Sequence, residues 1–290
     1  MASLARNHEH KPHYTEPMKR KPASHHHFSQ RHIRHDFSLH AHEYDTHAQL
    51  QQNVLFNALR ELEPAFVRDM LMLDVGCGTG YLLELLRHSE VPFSVASCDM
   101  AWGMCKEAAE RHSDLHNHHV TCADIKALPY APNSCDMVVS SLTLQWVDDL
   151  PAAFAEIHRV LKPGGKAMVT TFGPMTLQEL RHAFAKVDDL PHVSHFPTDH
   201  DLQQVVQQAG FRVEHFSTEF RTQHYAGVRE LMHAIRAIGA NNKDENRRKS
   251  LTGRKRFMAM EQTYRDEYET ARGIPASWEI LYLLLGKEEG

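Results

Sequence analysis

The chain has 290 residues, 42 % of them hydrophobic, enough to bury one large core with a tail or subdomain attached. Its longest purely apolar stretch, residues 280–285, is far too short to cross a bilayer, and the opening residues 1–6 lack the apolar core of a secretory signal. A formal net charge of −5 gives no reason to expect nucleic-acid binding by the whole chain, and five cysteines, an odd number without a Cys-x-x-Cys pair, argue against a disulfide framework or a zinc site, so that a reducing cytoplasm is the expected compartment.

Residues 1–36 are polar, rich in His, Lys and Arg, and lack apolar periodicity, which reads as a mobile tail. His25, His26 and His27, with His32 and His35, are residues of metal-ligating type. No carboxylates or fixed scaffold accompany them, and a solvated segment is the expected state. The pattern changes at Phe37. Residues 46–62 have helical spacing, with Leu50, Val54, Leu55, Ala58 and Leu62 on one face, and Pro64 ends the run. Short apolar runs then alternate with amphipathic ones. Strands are expected at 70–75, 93–98, 119–123, 135–140 and 166–172, with helices at 79–88, 102–112 and 150–161 between them. Pro163-Gly164-Gly165 forms the turn into the fifth strand. Two further strands follow at 211–220 and 278–286, separated by a long helical segment over 228–268 that is polar and charged in its middle. Such alternation predicts an α/β fold, a mostly parallel sheet with helices on both faces, spanning 37–290 with 222–275 as a helical cover.

The central signal is Leu73-Asp74-Val75-Gly76-Cys77-Gly78-Thr79-Gly80, which follows a strand and opens a helix, the context of a nucleotide-binding turn. A bare Gly-x-Gly is weak. Asp74 sharpens it, because a carboxylate two residues before Gly76 would repel a pyrophosphate and suits a ligand with an ammonium group, such as the methionine end of S-adenosylmethionine. Asp99, with Met100 after it, ends the next strand, where an acid can accept from both ribose hydroxyls. Asp124 is placed for an adenine amino group with Ile125 against the ring; its plainer role is a helix or turn cap. Ser141 and Leu142 follow the fourth strand, at the edge where open α/β sheets bind ligands.

Asp74 with Gly76, Gly78 and Gly80, then Asp99, Asp124 and Leu161-Lys162-Pro163-Gly164-Gly165, together resemble the class I S-adenosylmethionine-dependent methyltransferases. That resemblance implies a Rossmann-like, seven-stranded sheet whose last strand is antiparallel. It narrows further. Residues 41–51, Ser141-Leu142-Thr143-Leu144-Gln145-Trp146, residues 187–193 and residues 235–240 resemble the malonyl-[acyl-carrier protein] O-methyltransferases of biotin synthesis. The similarity runs from about Phe37 to Gly286. Asn241-Asn242 and the charged run to Lys249 fall where that family varies, and the His-rich tail has no counterpart in it.

The resemblance implies methylation of the free carboxylate of a malonyl thioester on acyl carrier protein, masking the charge so that the chain can be elongated toward pimelate, with Tyr44 over the cofactor near the methyl group and no metal. A carboxylate has a pKa of roughly 4 and needs no general base at pH 7. A cation should hold its second oxygen, and Arg suits a two-pronged grip; the candidates are Arg236, Arg254 and Arg256, with His192 besides. Arg247, Arg248, Lys249, Arg254, Lys255 and Arg256 form a basic run suited to an acidic carrier protein, with a solvated charge run as the alternative. Three other readings stay open at this stage. One is a methyltransferase acting on a quinone or phenol. Another is a respiratory-complex assembly factor of the same fold, which the lack of an acid-poor transit peptide disfavours. The third is an idle cofactor-binding protein, which the intact loop and both acids disfavour.

Overall fold

A computed structural model describes residues 30–62, 65–66, 69–87, 93–237 and 253–289. In chain order the elements are α1 (Gln30–His40), α2 (Tyr44–His47), α3 (Gln49–Leu62), β1 (Met70–Val75), α4 (Tyr81–Leu86), β2 (Phe93–Asp99), α5 (Trp102–Arg111), β3 (His118–Cys122), β4 (Cys135–Ser141), α6 (Leu150–Val160), β5 (Leu161–Phe172), α7 (Gln178–Ala185), α8 (Asp199–Gln208), β6 (Phe211–Tyr225), α9 (Val228–Ala237), α10 (Arg254–Tyr268) and β7 (Ile274–Lys287). Short 3-10 turns lie at Ala41–Glu43 and Leu144–Trp146.

The strands form one seven-stranded sheet in the order β3-β2-β1-β4-β5-β7-β6. The pairs within β1 to β5 are parallel, whereas β7 runs antiparallel to both β5 and β6. Side chains alternate between faces along each strand. Met70, Met72, Val95, Met137, Val139 and Met168 pack with Leu50, Val54 and Ala58 of α3. Leu73, Val75, Ala96, Val138, Ala167 and Val169 pack on the other side with Phe154 and Ile157 of α6 and Leu202 and Val206 of α8. Burial on both faces explains why these strands read as nearly continuous apolar runs. This is the Rossmann-like class I methyltransferase fold, with the expected antiparallel last strand.

Several boundaries differ from those expected. Residues 30–36 belong to α1 rather than to a tail; Ile33 is 1 % exposed, Gln30 Nε2 donates to Trp146 O at 3.0 Å, and Arg34 Nε donates to Met100 O at 3.1 Å. His32 and His35 lie on this helix, whereas His25, His26 and His27 fall outside the described residues. Strands β6 and β7 reach Tyr225 and Ile274, so the cover between them is 226–273, shorter than 222–275. It holds two described helices, α9 and α10; residues 238–252, including Arg247, Arg248 and Lys249, lie outside the described residues. Helices α7 and α8 occupy a stretch with no expected element, although α8 opens on a reciprocal cap between Thr198 and Asp201. Leu161 already pairs with Cys135, and the register jumps to Lys166 opposite Met137, so the Lys162–Gly165 turn is looped out of a strand. Among the described residues, no helix is long and apolar enough to cross a membrane.

Candidate active site

The order β2-β1-β4 places a topological switch beside β1, and a crevice opens there at the carboxyl ends of the parallel strands. A pocket fills it, and Gly76, Gly78, Asp99, Met100, Asp124, Ile125 and Ser141 line it together with Tyr44. Chain order had spread these residues over nearly a hundred positions. The sheet register brings them together.

The glycine loop is built on backbone geometry. Gly76, Gly78 and Gly80 have φ of 77°, 54° and 84°, the left-handed region that side-chain-bearing residues avoid. A Cβ at Gly76 would collide with the Thr143 side chain, and one at Gly80 would meet the His112 ring at 2.9 Å. The loop is tied to β2 by Gly76 N–H and Cys77 N–H, which both donate to Cys98 O at 2.8 and 3.0 Å. Gly78 N–H donates to Asp99 Oδ2 at 3.1 Å, and Ala101 N–H donates to Asp99 Oδ1 at 2.8 Å. Each carboxylate oxygen has a second lone pair, so Asp99 is oriented by the backbone and still able to accept from a ligand.

Burial raises the Asp99 pKa, although N–H donors from Ala101, Gly78 and Met100 oppose it. Asp74 is 4 % exposed and does not itself line the pocket; burial first, and the Asp99 charge second, push its pKa up to about 8. Gly80 also stands back from the lining, at the start of α4. Asp124 does act as a turn cap, accepting from Lys126 N–H at 2.9 Å, and it lines the pocket as well. Ser141 Oγ lies 3.0 Å from Thr170 Oγ1, at the edge of β4.

Tyr44 is held in place from below. The neighbouring Asp45 accepts from Thr79 Oγ1 of the glycine loop at 2.7 Å and pairs with Arg111 of α5. The phenol pKa is raised, by burial first and then by the Asp99 and Asp45 charges, so Tyr44 keeps its proton. Phe37 of α1 packs edge-on against both Tyr44 and Trp146, at 6.2 and 5.7 Å. Gln30, Ile33, Phe37 and Trp146 thus form a wall of the pocket that the polar tail had hidden. The available signal was the four-residue spacing of Ile33 and Phe37, which puts both on one helical face.

Arg236 and Arg254 are both exposed, on α9 and at the start of α10, and neither lines the pocket. A lysine does line it, Lys126, but its Nζ is engaged by Asp148 at 2.7 Å. Acceptor carboxylates and apolar walls, with no arginine lining the pocket among the described residues, suit a nucleoside with a cationic tail and disfavour a phosphate.

Known proteins agree with this chemistry. The methyltransferase-domain family matches residues 73–169. Malonyl-[acyl-carrier protein] O-methyltransferase of Halorhodospira halophila is 38 % identical over 251 residues, covering 86 % of this chain and 85 % of its own. The chain belongs to the malonyl-[acyl-carrier protein] O-methyltransferase family. The biotin biosynthesis bifunctional protein BioHC of Cellvibrio japonicus is 38 % identical to this methyltransferase over 246 residues, 84 % of this chain and 47 % of that protein. Among solved structures, the YcgJ protein of Bacillus subtilis has a TM-score of 0.57 at 16 % identity, covering 80 % of this chain and 98 % of its own, a likeness of fold alone. The methyltransferase domain implies S-adenosylmethionine as the methyl donor.

Proposed function

We propose that this methyltransferase transfers the methyl group of S-adenosylmethionine to the free carboxylate of a malonyl thioester on acyl carrier protein, giving the methyl ester that primes pimeloyl synthesis for biotin. The observation that carries the reading is the likeness to the Halorhodospira halophila enzyme along 86 % of this chain, rather than over the glycine loop alone. Asp74, behind the pocket wall, balances the ammonium of the methionine end; Gly76 and Gly78 let the backbone approach it, and Gly80 turns the loop into α4. Asp99, with Met100 beside it, takes the ribose hydroxyls. Asp124 and Ile125 take the adenine, and Ser141 closes the edge at β4. The five cysteines are free, and a reducing cytoplasm is the compartment that fits them.

The donor supplies an electrophilic methyl group on a sulfonium. A malonyl carboxylate has a pKa of roughly 4 and arrives ionised, so no side chain has to remove a proton. Attack by a carboxylate oxygen on the methyl carbon breaks the carbon–sulfur bond and neutralises both charges, leaving no proton to move. What remains for the chain is alignment and exclusion of water. Tyr44, protonated and latched through Asp45, is a wall and hydrogen-bond donor rather than a base. Exposed Arg254, Lys255 and Arg256 at the start of α10 form the described part of the face that meets the acidic carrier protein.

The test is incubation with labelled S-adenosylmethionine and malonyl-carrier protein or malonyl-coenzyme A. A base-labile methyl ester is expected. Its absence from both thioesters would overturn the reading.

A further inference from the structure

A second cavity adjoins the first and shares Trp146 with it. Its walls are mostly apolar: Phe172 of β5, Leu180 of α7, Phe196, and Met232 and Ile235 of α9. Besides Gln145 and Ser194, two polar lining groups bear on what it could hold.

The first is Trp278 of β7. Its side chain is 2 % exposed and packs on Phe172 with ring centroids 5.2 Å apart, yet its Nε1–H has no acceptor among the described residues. A buried donor without an acceptor is costlier than an apolar group of the same shape, so an acceptor that reached this indole N–H would be favoured there. The second is His192. Its ring stacks on Phe184 at 3.7 Å and 7°, and its Nε2 lies 2.7 Å from Asp188 Oδ1. Arg256 stands 3.8 Å from the other Asp188 oxygen. Burial works against the charge on Asp188, but His192, the Leu190 N–H and Arg256 more than offset it and hold the carboxyl below its ordinary range. A histidine fixed at one nitrogen by a carboxylate keeps a defined ring orientation and leaves the other nitrogen for a partner.

We propose that this second cavity receives the acyl-thioester arm of the substrate, with Trp278 Nε1–H donating to a carbonyl oxygen of the arm and His192, oriented by Asp188, making the second polar contact. The inference rests on the malonyl-thioester reading above. A thioester arm alternates short methylene runs with a thioester and amide groups, and it matches apolar walls carrying separate hydrogen-bonding groups. Among the described residues neither lysine nor arginine lines the cavity, and the anionic end of the malonyl group is assigned past Trp146, toward the cationic donor.

The test uses the full chain and compares Trp278→Phe, which removes the N–H and keeps a ring, with Met232→Trp, which fills the cavity. Trp278→Phe should raise KM for malonyl-carrier protein and malonyl-coenzyme A about tenfold, the scale of one lost hydrogen bond, with kcat nearly unchanged. Met232→Trp should abolish methylation of both, and both variants should bind S-adenosylmethionine as the wild type does in calorimetry. Wild-type KM in both variants, or a matching loss of S-adenosylmethionine affinity, overturns this assignment alone. A wild-type protein inactive on both thioesters overturns the function and the assignment together.

Discussion

Asp74 offers a test in which stability and cofactor binding must move in opposite directions. Its carboxyl is ordinarily half-ionised at 3.8, and burial with the Asp99 charge raises that to about 8 in the folded protein. Between those values the folded chain holds a proton that the unfolded chain has released, so stability falls as pH rises through the window, by about 1.4 kcal/mol per pH unit. At pH 7 this group alone costs up to about 4 kcal/mol, the product of that slope and the 3.2 units separating 7 from 3.8. Asp74→Asn keeps the shape and removes the titration. The apo variant should melt higher than wild type at pH 7, by about 2 °C or more for each kcal/mol recovered, and its melting temperature should fall less steeply between pH 5 and 8. The cofactor should see the reverse. A bound ammonium favours the ionised carboxylate, so S-adenosylmethionine binding at pH 7 should release about one proton in wild type, while the variant should release none and bind about tenfold or more weakly at pH 8. Thermal melts across pH, with calorimetry in buffers of different ionisation enthalpy, read both effects. Parallel melting curves for the two proteins, or equal affinities at pH 8, would refute the reasoning.

Three further outcomes are expected. Asp99→Ala should weaken S-adenosylmethionine by about 1.5–3 kcal/mol, the scale of charge-assisted hydrogen bonds, and calorimetry showing unchanged affinity would remove Asp99 from the site. Deletion through His35 should lower both cofactor affinity and melting temperature, because it removes buried Ile33 and the Gln30 contact to Trp146; steady-state kinetics and a thermal melt check it. Charge reversal at Arg254 and Arg256 should raise KM for malonyl-carrier protein at low salt and much less at high salt, while Arg236→Ala, exposed and away from the pocket, should leave turnover of malonyl-coenzyme A near wild type.

The cofactor half of the site was largely legible because local rules write it. A strand, a left-handed glycine loop and a helix must follow one another within a few residues, and Asp99 is fixed by the end of the next parallel strand. The pocket wall from α1 was obscured, because Ile33 and Phe37 are its main apolar residues amid histidines and arginines, and a helix made that way gains stability only once docked. Arg236 and Arg254 show another limit: charge type is visible in a sequence, but exposure, and distance from a given pocket, are not. Of the second cavity the sequence offered His192 and the 187–193 segment, but not the cavity itself. Phe172, Leu180, His192, Met232 and Trp278 come from separate elements, and the unsatisfied state of the Trp278 N–H exists only after β7 has taken its place in the sheet.

The place of β7 also governs how the protein is made. It comes after β6 in the chain, yet it lies between β5 and β6, pairing with β5 from Lys166 to Phe172 and with β6 from Phe211 to Tyr225. Until β7 has emerged, the β5 edge has no antiparallel partner and β6 has no sheet to join. The nascent chain therefore carries an unpaired strand edge beside apolar Val169 and Phe172, the kind of surface that recruits chaperones or other chains. Docking of β7 is a long-range step that places Trp278 and Ile280 in the core, so losing residues 274–287 would leave β5 and β6 without their common partner.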